Sequence, residues 1–232
     1  MPLYSLSLWK VIRRGLVAIA GIFLVCLLPV AVSPDRTLPY LSSFLHREIP
    51  IERPEVMALL LGDESGIRVK AAAEYFRTHG PIDMYMLRGY RLRPKISWSP
   101  PEGYAMLPSG LQYKLLLLKE GIPNDRIRVL EDDHVFDTAS ESFVLAAELR
   151  KRGFRRVLLL SSLGHTRRLG MIWDRVAPGF ERGILGARDG TGNEWWKKKR
   201  GRVAVAYEYG AIVKELFRRV WDVWSWEEEY VS

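Results

Sequence analysis

The stretch Arg155–Val176, RRVLLLSSLGHTRRLGMIWDRV, joins an apolar run to an amphipathic segment through two serines and a glycine. Residues 157–160 are all apolar, with no polar alternation. A strand reads this way when both of its faces are covered, as in a parallel sheet between helices. The segment after Gly164 reads as a helix, so the serines mark a strand-to-helix turn.

The same unit recurs along the chain. EVMALLLG (55–62) is followed by GIRVKAAAEYFRTHG (66–80), and IDMYMLRGY (82–90) by GLQYKLLLLKEGIP (110–123). RIRVLEDD (126–133) precedes DTASESFVLAAELRKRG (137–153), in which Thr138-x-x-Glu141 predicts a capping box. Gly80, Gly121 and Gly153 stop these helices. FERGILGA (180–187) predicts a fifth, weaker strand, and a last helix is expected from about Arg202 to Trp224. Strands alternating with helices predict an α/β fold, a Rossmann-like three-layer domain with a mostly parallel sheet. The segment Arg91–Gly110, with four prolines, breaks the rhythm as a long loop.

The N-terminus sets the expected compartment. Lys10, Arg13 and Arg14 precede GLVAIAGIFLVCLLPVAV, eighteen uncharged residues from Gly15 to Val32. That length is near the minimum for a membrane span, and the positive charges before it keep the N-terminus cytoplasmic. A cleaved signal peptide is the competing reading; its apolar core is usually about 7–15 residues, shorter than this run. The expected organisation is a cytoplasmic N-terminus (1–14), a transmembrane anchor (15–32) and a proline-bearing linker (33–54). An extracytoplasmic α/β domain (55–226) and a short tail (227–232) follow. The membrane bilayer is thus the first expected partner.

Net charge is +8, and all 27 acidic residues follow the apolar run, which leaves the exported part about +5. A mild basic bias suits an anionic small molecule, and with no basic stripe no nucleic acid is expected. The single cysteine, Cys26, rules out an intrachain disulfide and any C-x-x-C site. No G-x-G-x-x-G, Walker A or G-x-S-x-G sequence is present, so the sequence names no cofactor.

In a doubly wound sheet the ligand edge lies where the strands end. The residues expected there are Gly62, Asp63 and Glu64, then Arg88 and Gly89, then Glu131, then Ser161, Ser162 and His165. Arg168 follows His165 on nearly the same helical face. A helix start, an arginine fork and an imidazole together suit a phosphate or carboxylate group. The same spacing is also that of a serine N-cap followed by a solvated arginine. Asp63 is read as a general base or a cap. Glu131 with Asp132 and Asp133 is read as a hard-metal site or a solvated turn; no metal is assigned. EWWKKKRGR (194–202), with Trp221, Trp224 and Trp226, rests on lipid headgroups or covers the sheet.

From Glu55 to Val176 the chain resembles the SanA/YdcF/ElyC-like family of bacterial α/β domains. The matching elements run in order: Leu61-Gly62, Arg68, the RGY turn at Arg88, Gly121-Ile122-Pro123, Glu131, Asp137-Thr138, and SSLGHTRR from Ser161. The chain departs from the family in having Arg88-Gly89-Tyr90 where a Ser-Gly-Gly-like turn is usual, and in lacking a glutamate near Ser109. The resemblance implies a Rossmann-like fold in the bacterial inner membrane and a role in cell-envelope or peptidoglycan upkeep. One branch is associated with S-adenosylmethionine. The expected function is binding or turnover of an anionic, phosphorylated or lipid-linked envelope metabolite, with a phosphoester hydrolase as the enzymatic form. His165, Asp63 and Glu131 are the expected catalytic groups. Gly62, Glu64, Arg68, Arg88, Gly89, Thr138, Ser161, Ser162 and Arg168 are the expected ligand contacts. The alternative is a non-catalytic envelope scaffold with protein partners.

Overall fold

Five apolar runs assemble into one sheet. They are β1 (Val56–Leu59), β2 (Asp83–Leu87), β3 (Ile127–Leu130), β4 (Arg156–Ser162) and β5 (Glu181–Ala187), in the order β3-β2-β1-β4-β5. Every pairing is parallel, and Met57 sits opposite both Met84 of β2 and Leu158 of β4. This computed structural model describes residues 32–62, 65–89, 101–131, 137–189, 191–192 and 194–222, the last four without their side chains. The anchor (save Val32), Asp63, Glu64, residues 90–100, Asp132, Asp133, Trp224, Trp226 and the tail lie outside the described residues. Among the described residues no helix is long and apolar enough to cross a membrane.

Helices cover both faces, which is why β1 and the middle of β2 and β4 are apolar without alternation. Along β1 the alternation divides Val56, Ala58 and Leu60 from Met57 and Leu59. The first set packs with Leu145 and Leu149 of α4 (Thr138–Lys151) and with Leu169 and Trp173 of α5 (Thr166–Val176). The second packs with Val69 and Ala72 of α2 (Ile67–His79) and with Tyr113 and Leu117 of α3 (Ser109–Lys119). Residues 56 to 60 are at most 1% exposed, so β1 is the centre of the core. The last helix, α6 (Lys199–Asp222), buries Val205 and Ile212.

The expected linker is not structureless. Pro34–Leu45 forms a helix, α1, with Asp35 in its first turn. Proline at the first helical position forfeits no hydrogen bond, so Pro34 starts the helix rather than breaking it. Residues 1–41 and 42–232 form two compact units, so the α/β unit begins before Glu55. Within the second unit, Ile49 exchanges two backbone hydrogen bonds with Ile184, at 3.0 and 2.8 Å, which closes the β5 edge. Gly183 lets that segment approach: a Cβ there would meet Ile51 Cγ2 at 2.3 Å.

The cap of α4 also differs from the expected one. Asp137, not Thr138, is the N-cap: its carboxylate accepts from the Ala139 and Ser140 amides, both at 3.0 Å. Ser140 closes the box through the Asp137 amide, also at 3.0 Å. Glu141 is thereby released to turn inward. The 194–202 cluster is mixed: Trp195 is buried, whereas Lys197 pairs with Glu194 at 2.7 Å on the surface.

Candidate functional site

The strand order reverses between β1 and β4, and a crevice opens beyond their carboxyl ends at such a point. Ser162 ends β4 in extended backbone; Leu163–His165 make one 3-10 turn, and α5 begins at Thr166. Ser162 makes no capping hydrogen bond. Its Oγ accepts from Arg68 Nε at 3.0 Å instead. Arg68 Nη1 also donates to the carbonyls of Leu60, at 2.6 Å, and Leu61. One buried guanidinium therefore ties the end of β1 to the end of β4. From the other side, Glu141 Oε1 accepts from the Leu61 amide at 2.8 Å. Burial pushes the Glu141 carboxyl up to about 7, against the opposing pull of that amide and of Arg68.

His165 is 7% exposed. Its Nδ1 lies 3.3 Å from Glu208 Oε2 on α6. Burial, helped by the charges of Arg168 and Arg68, outweighs the Glu208 contact and holds the imidazole down at about 4. Burial tends to raise Glu208, but hydrogen bonds from His165 and Arg168 win and hold it at about 2. At neutral pH an ionised Glu208 therefore faces a neutral ring. An ionised carboxylate only accepts, which places the ring proton on Nδ1 and leaves Nε2 with its lone pair.

Arg168 stands behind this pair. Its Nε and Nη2 donate to Glu208 at 2.8 and 3.2 Å, and its guanidinium lies 5.8 Å from the Tyr207 ring centre. Arg168 is thus neither the solvated cation nor the direct anion ligand that its spacing suggested.

The loop after β5 completes the wall. Asp189 accepts from the amides of Gly164, at 3.2 Å, and Thr191, at 2.8 Å, and from the Thr191 hydroxyl. His46 Nε2 lies 3.2 Å from that hydroxyl. Thr191 presses on the strand-four turn so closely that a Cβ on Gly164 would meet its Cγ2 and Oγ1 at 2.6 Å.

These elements enclose a cavity of about 690 Å³. Buried Arg68 and His165 and half-buried Ser162 form its inner end, and Gly62 contributes from the β1 exit. Arg188 and Arg200 are exposed at its rim, and Ile67, Val203 and Tyr207 supply apolar wall. Of the residues expected at this edge, Gly62, Arg68, Ser162 and His165 line one space. Thr138 and Arg168 line a neighbouring groove of about 470 Å³. Arg88 pairs with Glu131 at 2.6 Å across the ends of β2 and β3, outside the cavity lining. Gly89 serves packing: at φ 65° a Cβ there would meet Leu61 Cδ1 at 2.3 Å. Ser161 alternates to the face of Val157 and Leu159, fully buried, and its hydroxyl finds no partner among the described residues. Asp63 and Glu64 lie outside those residues.

Local pattern passed over Glu208, Glu141, Asp189 and Arg188. A signal for Glu208 exists: Val205, Glu208, Ile212 and Glu215 share one inward stripe of α6. A carboxylate on an apolar stripe requires a buried cation.

Among the described residues no three His, Cys, Asp or Glu side chains are grouped to hold a metal. Among the described residues, the exposed Arg188 and Arg200 at the cavity rim suit an anionic group better than the sulfonium of S-adenosylmethionine. The sequence matches no protein-family model, and no curated protein matches it. The site is therefore read from its chemistry: an oriented neutral imidazole and a hydroxyl lining one cavity, with exposed arginines at the rim.

Proposed function

We propose that the chain is a single-pass protein of the bacterial inner membrane, of the SanA/YdcF/ElyC-like kind. Its α/β domain lies outside the cytoplasm, and its switch-point cavity binds and hydrolyses a phosphorylated envelope metabolite. The uncharged run Gly15–Val32 behind Lys10, Arg13 and Arg14 supports the anchor and its orientation. The observation that carries the chemical reading is the Glu208–His165 pair at 3.3 Å, set beside the Arg68–Ser162 contact at 3.0 Å in one cavity.

The ligand's anionic oxygens meet Arg188 and Arg200 at the rim and the Ser162 hydroxyl within. Water attacks phosphorus, and His165 Nε2 takes its proton as the P–O ester bond breaks. The leaving oxygen departs with the bonding pair and is protonated by solvent. A bound phosphate lifts the imidazole pKa from about 4 towards neutrality, because a nearby anion favours the charged ring. Glu208 fixes the tautomer and orientation of the ring, and Arg168 holds Glu208 ionised.

The test is turnover of a panel of phosphomonoesters by the full chain in detergent, with calorimetric phosphate binding alongside. His165→Ala should lower turnover by roughly 10²–10⁴-fold, the usual contribution of a general base. Arg188→Ala with Arg200→Ala should weaken phosphate binding about tenfold or more. Phosphate binding without turnover would leave a ligand-binding envelope protein; loss of both would favour the scaffold reading.

A further inference from the structure

Helix α6 turns Val205, Glu208, Ile212 and Glu215 inward. Its outer side is apolar too. Val203, Val213, Leu216 and Phe217 are between 48 and 68% exposed, with Ala206 and Gly210 exposed among them. These positions sweep roughly 140° of the helix, as wide as a stripe that faces a core, where a solvated helix carries polar residues. Phe44 extends the face. It is 45% exposed, its ring stacks on Tyr209 of α6 at 5.8 Å, and the Arg167 guanidinium lies 4.0 Å from the ring centre.

Charge and tether length identify what covers this face. Between Lys199 and Arg218 the acidic residues are Glu208 and Glu215, and both turn inward to Arg168 and Arg175. The outer side of that stretch carries apolar, aromatic and basic residues alone: Arg202 is exposed within the stripe, and Lys199, Arg200 and Lys214 are exposed in or beside it. Asp222, Glu227, Glu228 and Glu229 come later in the sequence, past the described side chains. At the Phe44 corner, burial and the charge of Arg47 hold the Arg167 guanidinium below its ordinary value, so two cations meet there as well. Glu48, beside Arg47, is turned to the Gly186 amide. Such a surface repels a copy of itself and attracts an anionic one. The tether adds a second constraint. Residues 33–43 alone separate Phe44 from the uncharged run that ends at Val32. Fully extended they reach about 40 Å, and most of them belong to α1, where the rise is only about 1.5 Å per residue.

We propose that this face docks on the anionic surface of the bilayer that holds the chain's own anchor. Helix α6 lies in the headgroup plane, with its apolar stripe and Phe44 against the acyl boundary and its lysines and arginines among the headgroups. A wide apolar face flanked by basic residues is how a helix binds a lipid surface without crossing it. Long basic side chains reach back to the headgroups while their stems lie on the apolar layer. Val203 also lines the cavity, so docking sets the cavity mouth close to the headgroups. The proposal rests on the anchor reading of Gly15–Val32 and is independent of the phosphoester chemistry.

The test uses the full chain with Cys26, the sole cysteine, replaced by serine. It is reconstituted into vesicles of phosphatidylcholine and phosphatidylglycerol in equal parts. A fluorescent label goes on Gly210→Cys, where a Cβ meets no atom within 4 Å, or on Lys151→Cys, exposed at the end of α4. A lipid carrying a nitroxide beneath its headgroup should quench the label at 210 and spare the one at 151, because an interfacial helix sits about 5–10 Å into that layer. Val213→Glu with Phe217→Glu should abolish the quenching. Lys199→Gln with Lys214→Gln should weaken docking roughly fivefold per charge. Carbonate extraction of the same vesicles reads the anchor separately. A retained chain with no quenching at 210 would overturn the docking face and leave the anchor standing. A chain that carbonate removes would fail the anchor reading, and quenching at 210 measured before extraction would still decide the face. Equal quenching at 210 and 151 would overturn it. So would shielding of 210 from aqueous iodide without quenching by lipid, which would put protein on the face, either a second copy or the chain's own tail.

Discussion

Arg168 grips Glu208 through two hydrogen bonds, at 2.8 and 3.2 Å, with both side chains close to nine-tenths buried. One heptad later on both helices, Arg175 meets Glu215 at 3.0 Å. Two rungs, each joining residues 40 apart, thus lock α5 to α6. The upper rung ends on His165 and so belongs to the site; the lower one is structural.

The upper rung makes stability depend on pairing more than on charge. Arg168→Ala leaves the Glu208 carboxylate buried without its main partner, and should destabilise by roughly 3–5 kcal/mol, the cost of an orphaned buried charge. Arg168→Met with Glu208→Met removes both charges and should cost far less. Urea unfolding of the three proteins checks this. Equal losses in the single and double variants would show that the pair adds packing alone.

The pH profile follows from three groups whose effects oppose one another. His165 is held down at about 4, below its ordinary value near 6.5, so the unfolded chain takes up that proton first. Its contribution is complete above about pH 6.5 and is lost as pH falls towards 4. Glu208, held at about 2, adds a second loss between about pH 4.5 and 2. Glu141, raised to about 7, acts the other way: the folded chain keeps a proton that the unfolded chain releases, so its contribution is lost as pH rises from about 4.5 to 7. Between about pH 4.5 and 6.5 His165 and Glu141 offset one another, and the wild-type curve should be nearly flat. Glu141→Gln should expose the histidine slope, about 1.4 kcal/mol per pH unit for one proton. Denaturant midpoints measured from pH 4.5 to 7 read it directly; a flat curve in the variant would remove His165 from this account.

The start of α4 gives a local test. Asp137 caps the helix and also lies 3.3 Å from Arg218 of α6, so Asp137→Ala should cost about 1 kcal/mol, within the usual range for a lost cap. Thr138→Ala should cost only a few tenths. Thermal unfolding of both variants decides which residue is the cap.

How much of this could be read from the sequence depends on the distance over which each feature acts. The central strands are legible because two-sided burial writes itself as unbroken apolar runs such as Val157–Leu160, whereas the outer strands β3 and β5, with Arg128 and with Glu181 and Arg182, read more weakly. The edge that gathers Gly62, Ser162 and His165 is legible because parallel strands end on one side. Helix α1 was not, because Pro34 and Pro39 look like breakers until Pro34 is seen at a helix start. The cap was misassigned by one residue, since Asp137 and Thr138 are both good caps and only geometry chooses. Arg168 reads as an edge residue, but its partner is invisible in the sequence: Glu208 lies 40 residues on, and pairing between two helices leaves no local spacing to read. Glu141 looked like half of a capping box because its inward turn depends on the Leu61 amide, 80 residues away.

The approach of Thr191 to Gly164 yields the last prediction. Gly164 sits under Thr191, and a Cβ there would meet two atoms of the threonine side chain at 2.6 Å and its Cβ at 3.0 Å. Gly164→Ala therefore cannot be accommodated without lifting the Asp189–Thr191 loop, which breaks the 3.2 Å hydrogen bond from the Gly164 amide to Asp189. Overpacking of this kind costs roughly 1–3 kcal/mol. It should also weaken phosphate binding, because Arg188, one residue from Asp189, moves with the loop. Thr191→Ala removes the clashing atoms but also loses the hydroxyl contacts to Asp189 and His46, so alone it should be mildly destabilising. Combined, the two substitutions should be more stable than Gly164→Ala alone, a sign reversal that additive effects cannot give. Unfolding and phosphate-binding measurements on the four proteins of this cycle test the contact. Simple additivity would show that the loop yields freely and that Thr191 does not set the shape of the strand-four turn.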